Sequence, residues 1–203
     1  RVLGAISVFR EPMPLEAISG VDAETDLLDD LVEKGLARQA DSENYDVHDL
    51  VREFLTRSMD DSLAQVLHAN AVEWYRTRRG TPSQSIEYIH HLHMSGDTEG
   101  LAEALSDEGH SLVRSGHIEL LGILRSLDVS NFGPRTSFVI HELRGDILSI
   151  QGKWEEAVGE YDAAMPLALK HKMTAPLARL LSSRADLAVK RGEMDEALSL
   201  HRK

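Results

Sequence analysis

The side chains that could do chemistry in this chain lie mainly in two short stretches, and the first is the histidine run at residues 90 to 93. His90 and His93 are three residues apart, so on a helix they would share a face and could chelate a divalent ion. No further ligand occurs at a supporting spacing, and the sequence therefore assigns no metal site. The sequence also lacks a G-x-x-x-x-G-K-S/T phosphate loop and a G-x-S-x-G nucleophile elbow. We expect no catalytic residues in this chain, which is predicted not to be an enzyme.

The second stretch is Val47-His48-Asp49, between a predicted strand and a predicted apolar helix. Backbone amides and the helix dipole favour an anion at a helix start. An imidazole there can donate a hydrogen bond to a phosphate oxygen, and Asp49 could orient or charge it. The alternative is that His48 is a helix N-terminal residue capped by Asp49, with no ligand.

A small helical domain with a β-hairpin is predicted to position this motif. Its predicted elements are the end of a helix at Val2–Phe9, helices at Leu15–Ser19, Ala23–Lys34 and His48–Met59, and strands at Leu36–Ala40 and Tyr45–Val47. Pro14 is expected in the first turn of the second helix. The apolar residues expected to be buried in the last helix are Leu50, Val51, Phe54 and Leu55. Three helices followed by a β-hairpin predict a winged helix at residues 1 to 60.

The charge of the chain argues against nucleic acid as a partner, although winged helices often bind DNA by their third helix. The net charge is −12, from 22 basic and 34 acidic residues. The region of the predicted third helix carries one lysine, Lys34, against six acidic residues, which are Asp22, Glu24, Asp26, Asp29, Asp30 and Glu33. Without cations there is no counterion release to drive binding to DNA. We therefore predict that the winged helix is a packing module.

The bulk composition is that of a globular protein without disulfides. Cysteine is absent, which fits a reducing compartment, and 42% of the 203 residues are hydrophobic. No apolar run approaches the ~18 residues of a membrane span, and there is no signal peptide. We expect a cytoplasmic protein without a membrane partner. Both ends of the chain look cut, so we expect it to be part of a longer polypeptide.

The C-terminal third shows an internal repeat of helical hairpins. Small residues recur at Gly145, Gly152, Ala157 and Ala164, with Trp154 and Tyr161 between them. Forty residues later, Gly192, Met194 and Ala197 repeat Gly152, Trp154 and Ala157, and Ala185 repeats Gly145. Gly145 and Ala157 are predicted to be the contact points between two antiparallel helices, and Gly152 is predicted to end the first of them. A fixed period of this kind predicts a helical solenoid.

These offsets resemble the tetratricopeptide family, with three departures at His141, Arg144 and Leu169, where that family favours Trp, Leu and Pro. The alternative is a generic helical hairpin. The fold class predicted for the chain is mainly α, with a winged helix followed by an α-solenoid of tetratricopeptide-like hairpins. The domain boundaries predicted are 1–60 for the winged helix, 61–134 for a helical linker and 135–203 for the repeats. Helices in the linker are predicted at Asp61–Arg79, Ser85–Ser95, Thr98–Glu108, His110–Ser115 and His117–Leu127, with Ser83 as an N-cap.

The run from Leu28 to Leu55, with LVEKGLARQ and YDVHDLVREFL, resembles the winged-helix segment of the signal-transduction ATPases with numerous domains. LHANAVEWY, HLHMSGDTEGLAEAL and LVRSGHIELLGILRSLD resemble the helical region of their maltose-activator-like members. That family has a Met-His-Asp-like motif whose His contacts the β-phosphate of ADP, and Val47 replaces its Met here. The resemblance implies ADP or ATP in a parent protein, with a nucleotide-binding domain before residue 1, and no cofactor in this fragment. It also implies repeats that bind a protein or small-molecule inducer, within a regulator such as a transcriptional regulator.

A plain tetratricopeptide adaptor for protein–protein interaction, without a link to nucleotides, is the alternative function.

Overall fold

The computed structural model describes residues 2–18 and 25–202, which are mainly α-helical. The chain divides into two compact units, an N-terminal unit at residues 1–98 and a C-terminal unit at residues 99–203. This division differs from the predicted boundaries at residues 60 and 134. Parts of two predicted features, Ser19 of the second helix and Asp22, Ala23 and Glu24 of the third, lie outside the described residues. No helix in the described ranges is long and apolar enough to cross a membrane.

The N-terminal unit begins with short helices around a three-stranded antiparallel sheet. Its elements in order are α1 (Val2–Ser7), β1 (Met13–Pro14), a 3-10 helix (Leu15–Ile18), α2 (Thr25–Glu33), β2 (Arg38–Gln39), β3 (Asn44–Asp46) and α3 (Asp49–Ser58). β3 is the central strand, with Met13 opposite Tyr45 on one side and Arg38 opposite Asp46 on the other. The predicted hairpin is present, although its strands are shorter than predicted.

Strand β1 was not predicted, because two residues are too few to show a period of two. Pro14 ends this strand rather than beginning a helix.

Helix α3 corrects the predicted pattern of burial. Leu50 is 81% exposed and Phe54 is 69% exposed, while Val51 and Leu55 are half-buried. The helix is held instead by Arg52, whose guanidinium donates to the carbonyl of Ser7 at 2.9 Å and to that of Phe9. Arg52 thus occupies the face of α3 towards α1, and Leu50 and Phe54 lie on another, exposed face.

The rest of the N-terminal unit is a helical hairpin of α4 (Asp61–Arg76) and α5 (Pro82–Ser95). Helix α4 buries Leu67 and Ala71, whereas Val66 is 57% exposed. The N-cap of α5 is Thr81 rather than Ser83: its hydroxyl accepts from the amide of Gln84, whose side chain accepts from the amide of Thr81 in return. This reciprocal capping, with Pro82 in the first turn, fixes where the helix begins.

The C-terminal unit begins with α6 (Thr98–Arg114) and α7 (Leu120–Ser126), and two helical hairpins follow. The hairpins are formed by α8 (Pro134–Ile150) with α9 (Trp154–Lys170), and by α10 (Thr174–Arg191) with α11 (Met194–His201). Helix α6 is continuous through Gly109, where the sequence analysis predicted a break between two helices. Gly109 packs closely on Leu143, since a Cβ added to it would lie 2.6 Å from Cδ1 of that side chain. Helix α9 continues through Pro166. In the described chain every strand lies before residue 60, so the predicted all-helical region after it is confirmed.

The small residues of the repeat pattern lie at the helix contacts and turns. A Cβ on Gly145 would lie 2.4 Å from Cε1 of Tyr161, so these helices approach closely only because position 145 is glycine. Ala157 and Ala164 are fully buried, and Ala197 is 4% exposed. Gly152 and Gly192 have φ of 75° and 82°, the left-handed backbone in which glycine is favoured, and they end α8 and α10. Trp154 is half-buried at the first residue of α9.

Arg144, a departure from the tetratricopeptide pattern, has a structural role in this unit. Its buried guanidinium donates to the carbonyls of Leu124, with Nε at 3.1 Å, and Leu127, with Nη2 at 3.0 Å. These carbonyls lie at the end of α7, where backbone donors are scarce; the amide of Leu127 is the backbone donor to the carbonyl of Leu124. Arg144 therefore connects α7 to α8, a role that leucine could not fill.

Candidate functional site: a groove in the helical repeats

A groove in the C-terminal unit is formed mainly by α6, α8 and α10. Its volume is about 330 Å³. The lining residues are His110, Val113 and Arg114 of α6, Asp146, Ser149 and Ile150 of α8, Tyr161 of α9, and Arg179, Ser183, Asp186 and Lys190 of α10. Spacings of three or four residues put the contributions of each helix on one face. The three helices thus contribute both polar and apolar side chains to one groove.

A buried ion-pair network fixes one end of the groove. Glu142 is fully buried. Arg179 donates to its two carboxylate oxygens with Nε at 2.8 Å and Nη2 at 2.7 Å, and Nε2 of His110 lies 2.8 Å from Oε2. Burial raises the pKa of Glu142, but the hydrogen bonds from His110 and Arg179 outweigh it and hold that pKa below its usual value. Glu142 therefore stays charged and holds α6 and α10 on α8.

A second carboxyl group, Asp146, lies one turn further along α8. It accepts a hydrogen bond from the hydroxyl of Tyr161 at 2.8 Å. Burial raises the pKa of Asp146, and Glu142 nearby adds to the rise. Burial also raises the pKa of Tyr161. The groove thus contains a neutral phenol beside a carboxyl group that accepts a proton more readily than usual.

Two basic side chains in the groove, Arg114 and Lys190, make few or no interactions with the described residues. Lys190 donates to Oγ of Ser149 at 3.2 Å. Arg114 is exposed, and its side chain forms no hydrogen bond or ion pair with any residue in the described ranges. Arg114 and Lys190 are therefore free to make charge-assisted hydrogen bonds to an acidic group of a ligand.

His48 and Asp49, the residues predicted for a nucleotide phosphate, lie in the N-terminal unit. Both are exposed, and His48 is the N-cap residue of α3 without a side-chain capping bond. The turn before them is firmly held, because Val47 is fully buried and Asp46 pairs with Arg52 at 2.5 Å. Within the described part of the chain the imidazole of His48 has no partner, which leaves it available to a ligand.

The histidines of α5 contact His68, which the sequence analysis did not single out. His68, on α4, lies with its Nδ1 2.8 Å from Nδ1 of His91. Possible ligand atoms of His68, His90 and His91 all lie within 4.8 Å of one another, whereas His93, the predicted partner of His90, is not part of this group. Burial lowers the pKa of His68 to about 4, of His90 to about 3 and of His91 to about 2. The available signal was a lone histidine, His68, on the predicted helix that precedes the one carrying His90.

Comparison with known proteins gives one structural similarity. No protein family model matches the chain, and no curated protein matches it. The chain is similar to the crystal structure of a signal transduction ATPase with numerous domains (STAND) protein with a tetratricopeptide repeat sensor from Pyrococcus horikoshii, at 18% sequence identity and a TM-score of 0.44. The match covers 98% of this chain and 36% of that chain, so this chain spans about a third of the length of that protein.

Proposed function

We propose that this chain is the regulatory part of a nucleotide-dependent signalling switch, in which the helical repeats bind an inducer. The observation that carries the proposal is the groove formed by α6, α8 and α10, with Arg114 unpaired at its surface. The winged helix at residues 1 to 60 would pack on a nucleotide-binding domain in cis. The parent protein would be a cytoplasmic regulator, for example of transcription.

The charges in the groove indicate which inducers it would bind. Three basic side chains, Arg114, Arg179 and Lys190, line this groove together with the acidic Asp146 and Asp186. Arg179 is committed to Glu142, so Arg114 and Lys190 remain to bind a carboxylate or phosphate group. Asp146 and the phenol of Tyr161 can exchange hydrogen bonds with hydroxyl or amino groups of the same ligand. A small polar molecule with an acidic group, or an acidic segment of a protein, fits this arrangement.

The surface beside His48 supports the proposed contact with a nucleotide-binding domain. Leu50 and Phe54 are largely exposed on α3 and lie with Glu53, Arg57 and Ser58 around a shallow pocket. Fully burying an apolar side chain of this size is worth about 1.5–3 kcal/mol, so a surface that covers both would gain stability. A domain seated there would bring a bound phosphate to the exposed imidazole of His48. Inducer binding would then shift the population between closed and open states.

A ligand screen tests the groove. Thermal unfolding of the chain would be followed with organic acids, nucleotides, sugar phosphates and acidic peptides, since a ligand that binds the folded state raises the melting temperature. We expect compounds with an acidic group to raise the melting temperature of the wild type, and to lose this effect when Arg114 and Lys190 are both replaced by Ala. Arg125→Ala is the matched control, because Arg125 is an exposed arginine of the same unit that pairs with Glu156 outside the groove.

Two results would count against this function. One is the absence of any stabilising ligand, and the other is an effect that persists unchanged in the double variant. An acidic peptide as the strongest ligand, together with a full-length protein that does not bind ADP, would favour the tetratricopeptide adaptor.

A further inference from the structure

We propose that His68, His90 and His91 form a binding site for a divalent transition-metal ion of the zinc class. Two of these histidines come from α5 and one from α4, so the site would connect the two helices of the N-terminal hairpin. This inference is independent of the groove and of His48.

The geometry places three imidazoles around one point. Their candidate ligand atoms lie within 4.8 Å of one another. Zinc–imidazole bonds of about 2.0–2.1 Å put tetrahedral ligand atoms about 3.3 Å apart. The candidate atoms, which lie no more than 4.8 Å apart, would reach this spacing by a movement of at most about 1.5 Å between any two of them. Rotation about the side-chain bonds of the three histidines would supply this movement.

An unsatisfied nitrogen in this cluster points to a missing partner. His68 and His91 share one hydrogen bond through their Nδ1 atoms, while the buried Nε2 of His91 has no hydrogen-bond partner. Oε2 of Glu87 lies 4.0 Å from this nitrogen, which is too long for a hydrogen bond. Glu87 is itself held by Arg10, with Nη2 2.7 Å from Oε1. A buried polar atom without a partner is destabilising, and a metal ion coordinated by Nε2 of His91 would supply the missing partner.

The chemistry of the donors selects the kind of ion. Each of the three histidines offers one imidazole nitrogen as a ligand, and the neutral imidazole is the form that binds a metal ion. Imidazole suits Zn²⁺, Co²⁺, Ni²⁺ and Cu²⁺, whereas Mg²⁺ and Ca²⁺ prefer the oxygen ligands that this group of three does not supply. Three histidines leave a fourth position for water on a tetrahedral ion.

Metal titration of the chain, purified without a polyhistidine tag, tests the site. We expect Zn²⁺ to raise the melting temperature, and Co²⁺ to give the visible absorption of a tetrahedral complex that Zn²⁺ then displaces. Mg²⁺ should do neither. His68→Ala and His90→Ala should each weaken Zn²⁺ binding at least tenfold, since even the loss of a group that supports a ligand costs about 10–100-fold. His171→Ala is the control, because His171 is an exposed histidine of the C-terminal unit.

The half-buried His90 keeps the test decisive if a variant of the buried His68 does not fold. Circular dichroism would establish which variants are folded. A folded wild type that shows neither a Zn²⁺-dependent melting shift nor a Co²⁺ spectrum would overturn the proposal. So would Zn²⁺ binding that is unchanged in folded His90→Ala, because the ion would then be bound by histidines elsewhere on the surface.

Discussion

Gly145→Ala should destabilise the C-terminal unit, although alanine is the better helix former. A Cβ at this position would lie 2.4 Å from Cε1 and 2.6 Å from Cδ1 of Tyr161, far inside ordinary contact. The ring cannot move away freely, because Tyr161 is 1% exposed and its hydroxyl is hydrogen-bonded to Asp146 at 2.8 Å. Either α8 and α9 separate or the ring shifts and loses that bond.

Three contributions set the expected change in the free energy of unfolding. Overpacking costs about 1–3 kcal/mol, and a lost hydrogen bond costs about 1 kcal/mol. The helix propensity of alanine returns about 1 kcal/mol. The expected net destabilisation is therefore about 1–3 kcal/mol, which corresponds to a melting temperature lower by about 2–12 °C for a chain of this size.

Urea and thermal unfolding followed by circular dichroism would measure this change. Gly159→Ala is the matched control, because Gly159 lies in α9 of the same hairpin and nothing lies within 4 Å of its added Cβ. That variant should be about 0.5–1 kcal/mol more stable than the wild type. The reasoning is refuted if Gly145→Ala is as stable as the wild type while the control behaves as expected.

Four further results are expected. Ala157→Leu should lower stability by about 1–3 kcal/mol, because Ala157 is fully buried. The same change at the exposed Ala163 of α9 should have little effect. Equal melting temperatures for Ala157→Leu and the wild type would place Ala157 outside the contact between the two helices of the hairpin. Arg179→Ala should cost about 1–2 kcal/mol at pH 7, less than for a fully buried pair because the guanidinium is 45% exposed. The pKa of Glu142 is lowered in the folded state, so this stabilisation is present above its unfolded pKa of about 4.3 and is lost as the pH falls through the folded pKa. In urea unfolding from pH 7 to 3, the free energies of unfolding of the wild type and the variant should therefore converge. A difference that stays constant with pH would argue against the ion pair. In the full-length protein, His48→Ala should lower ADP affinity by about 10–100-fold and raise activity without inducer; equal affinities in two folded proteins would leave His48 without a role in binding ADP. The chain should not bind duplex DNA at moderate salt, and micromolar binding with a steep salt dependence in a fluorescence anisotropy titration would contradict the prediction from its acidic third helix.

Much of the helical-repeat unit could be predicted from the sequence because its determinants are local. Gly152 and Gly192 end their helices by a backbone conformation that glycine adopts at little cost, and both have positive φ. Ala157 and Ala164 recur at helical spacing on α9, so their common face can be recognised without knowing the partner. The predicted contact at Gly145 is found, although the structure shows that the side chain packed against it is Tyr161.

The predictions that were wrong concern residues whose burial depends on which element packs against them. Leu50 and Phe54 follow the spacing of a buried helix face, yet they are exposed because Arg52 binds the carbonyls of Ser7 and Phe9 instead. An amphipathic pattern shows that a helix has an apolar face, but not which neighbour covers that face. The predicted N-cap at Ser83 was wrong for a related reason, because Ser83, Thr81 and Pro82 all fit a helix start and only the bond with Gln84 decides among them.

What the sequence by itself determined is the helical class, the hairpin repeat, the acidic charge and the motif at His48. Tertiary structure alone decided which residues from distant segments share a site. It brought Arg114, Asp146 and Lys190 from three helices into one groove, and it placed His68 beside His91, 23 residues further along the chain. The physical reason is that periodicity and turn chemistry act over a few residues, whereas the register between packed helices is set by side-chain contacts such as Gly145 with Tyr161.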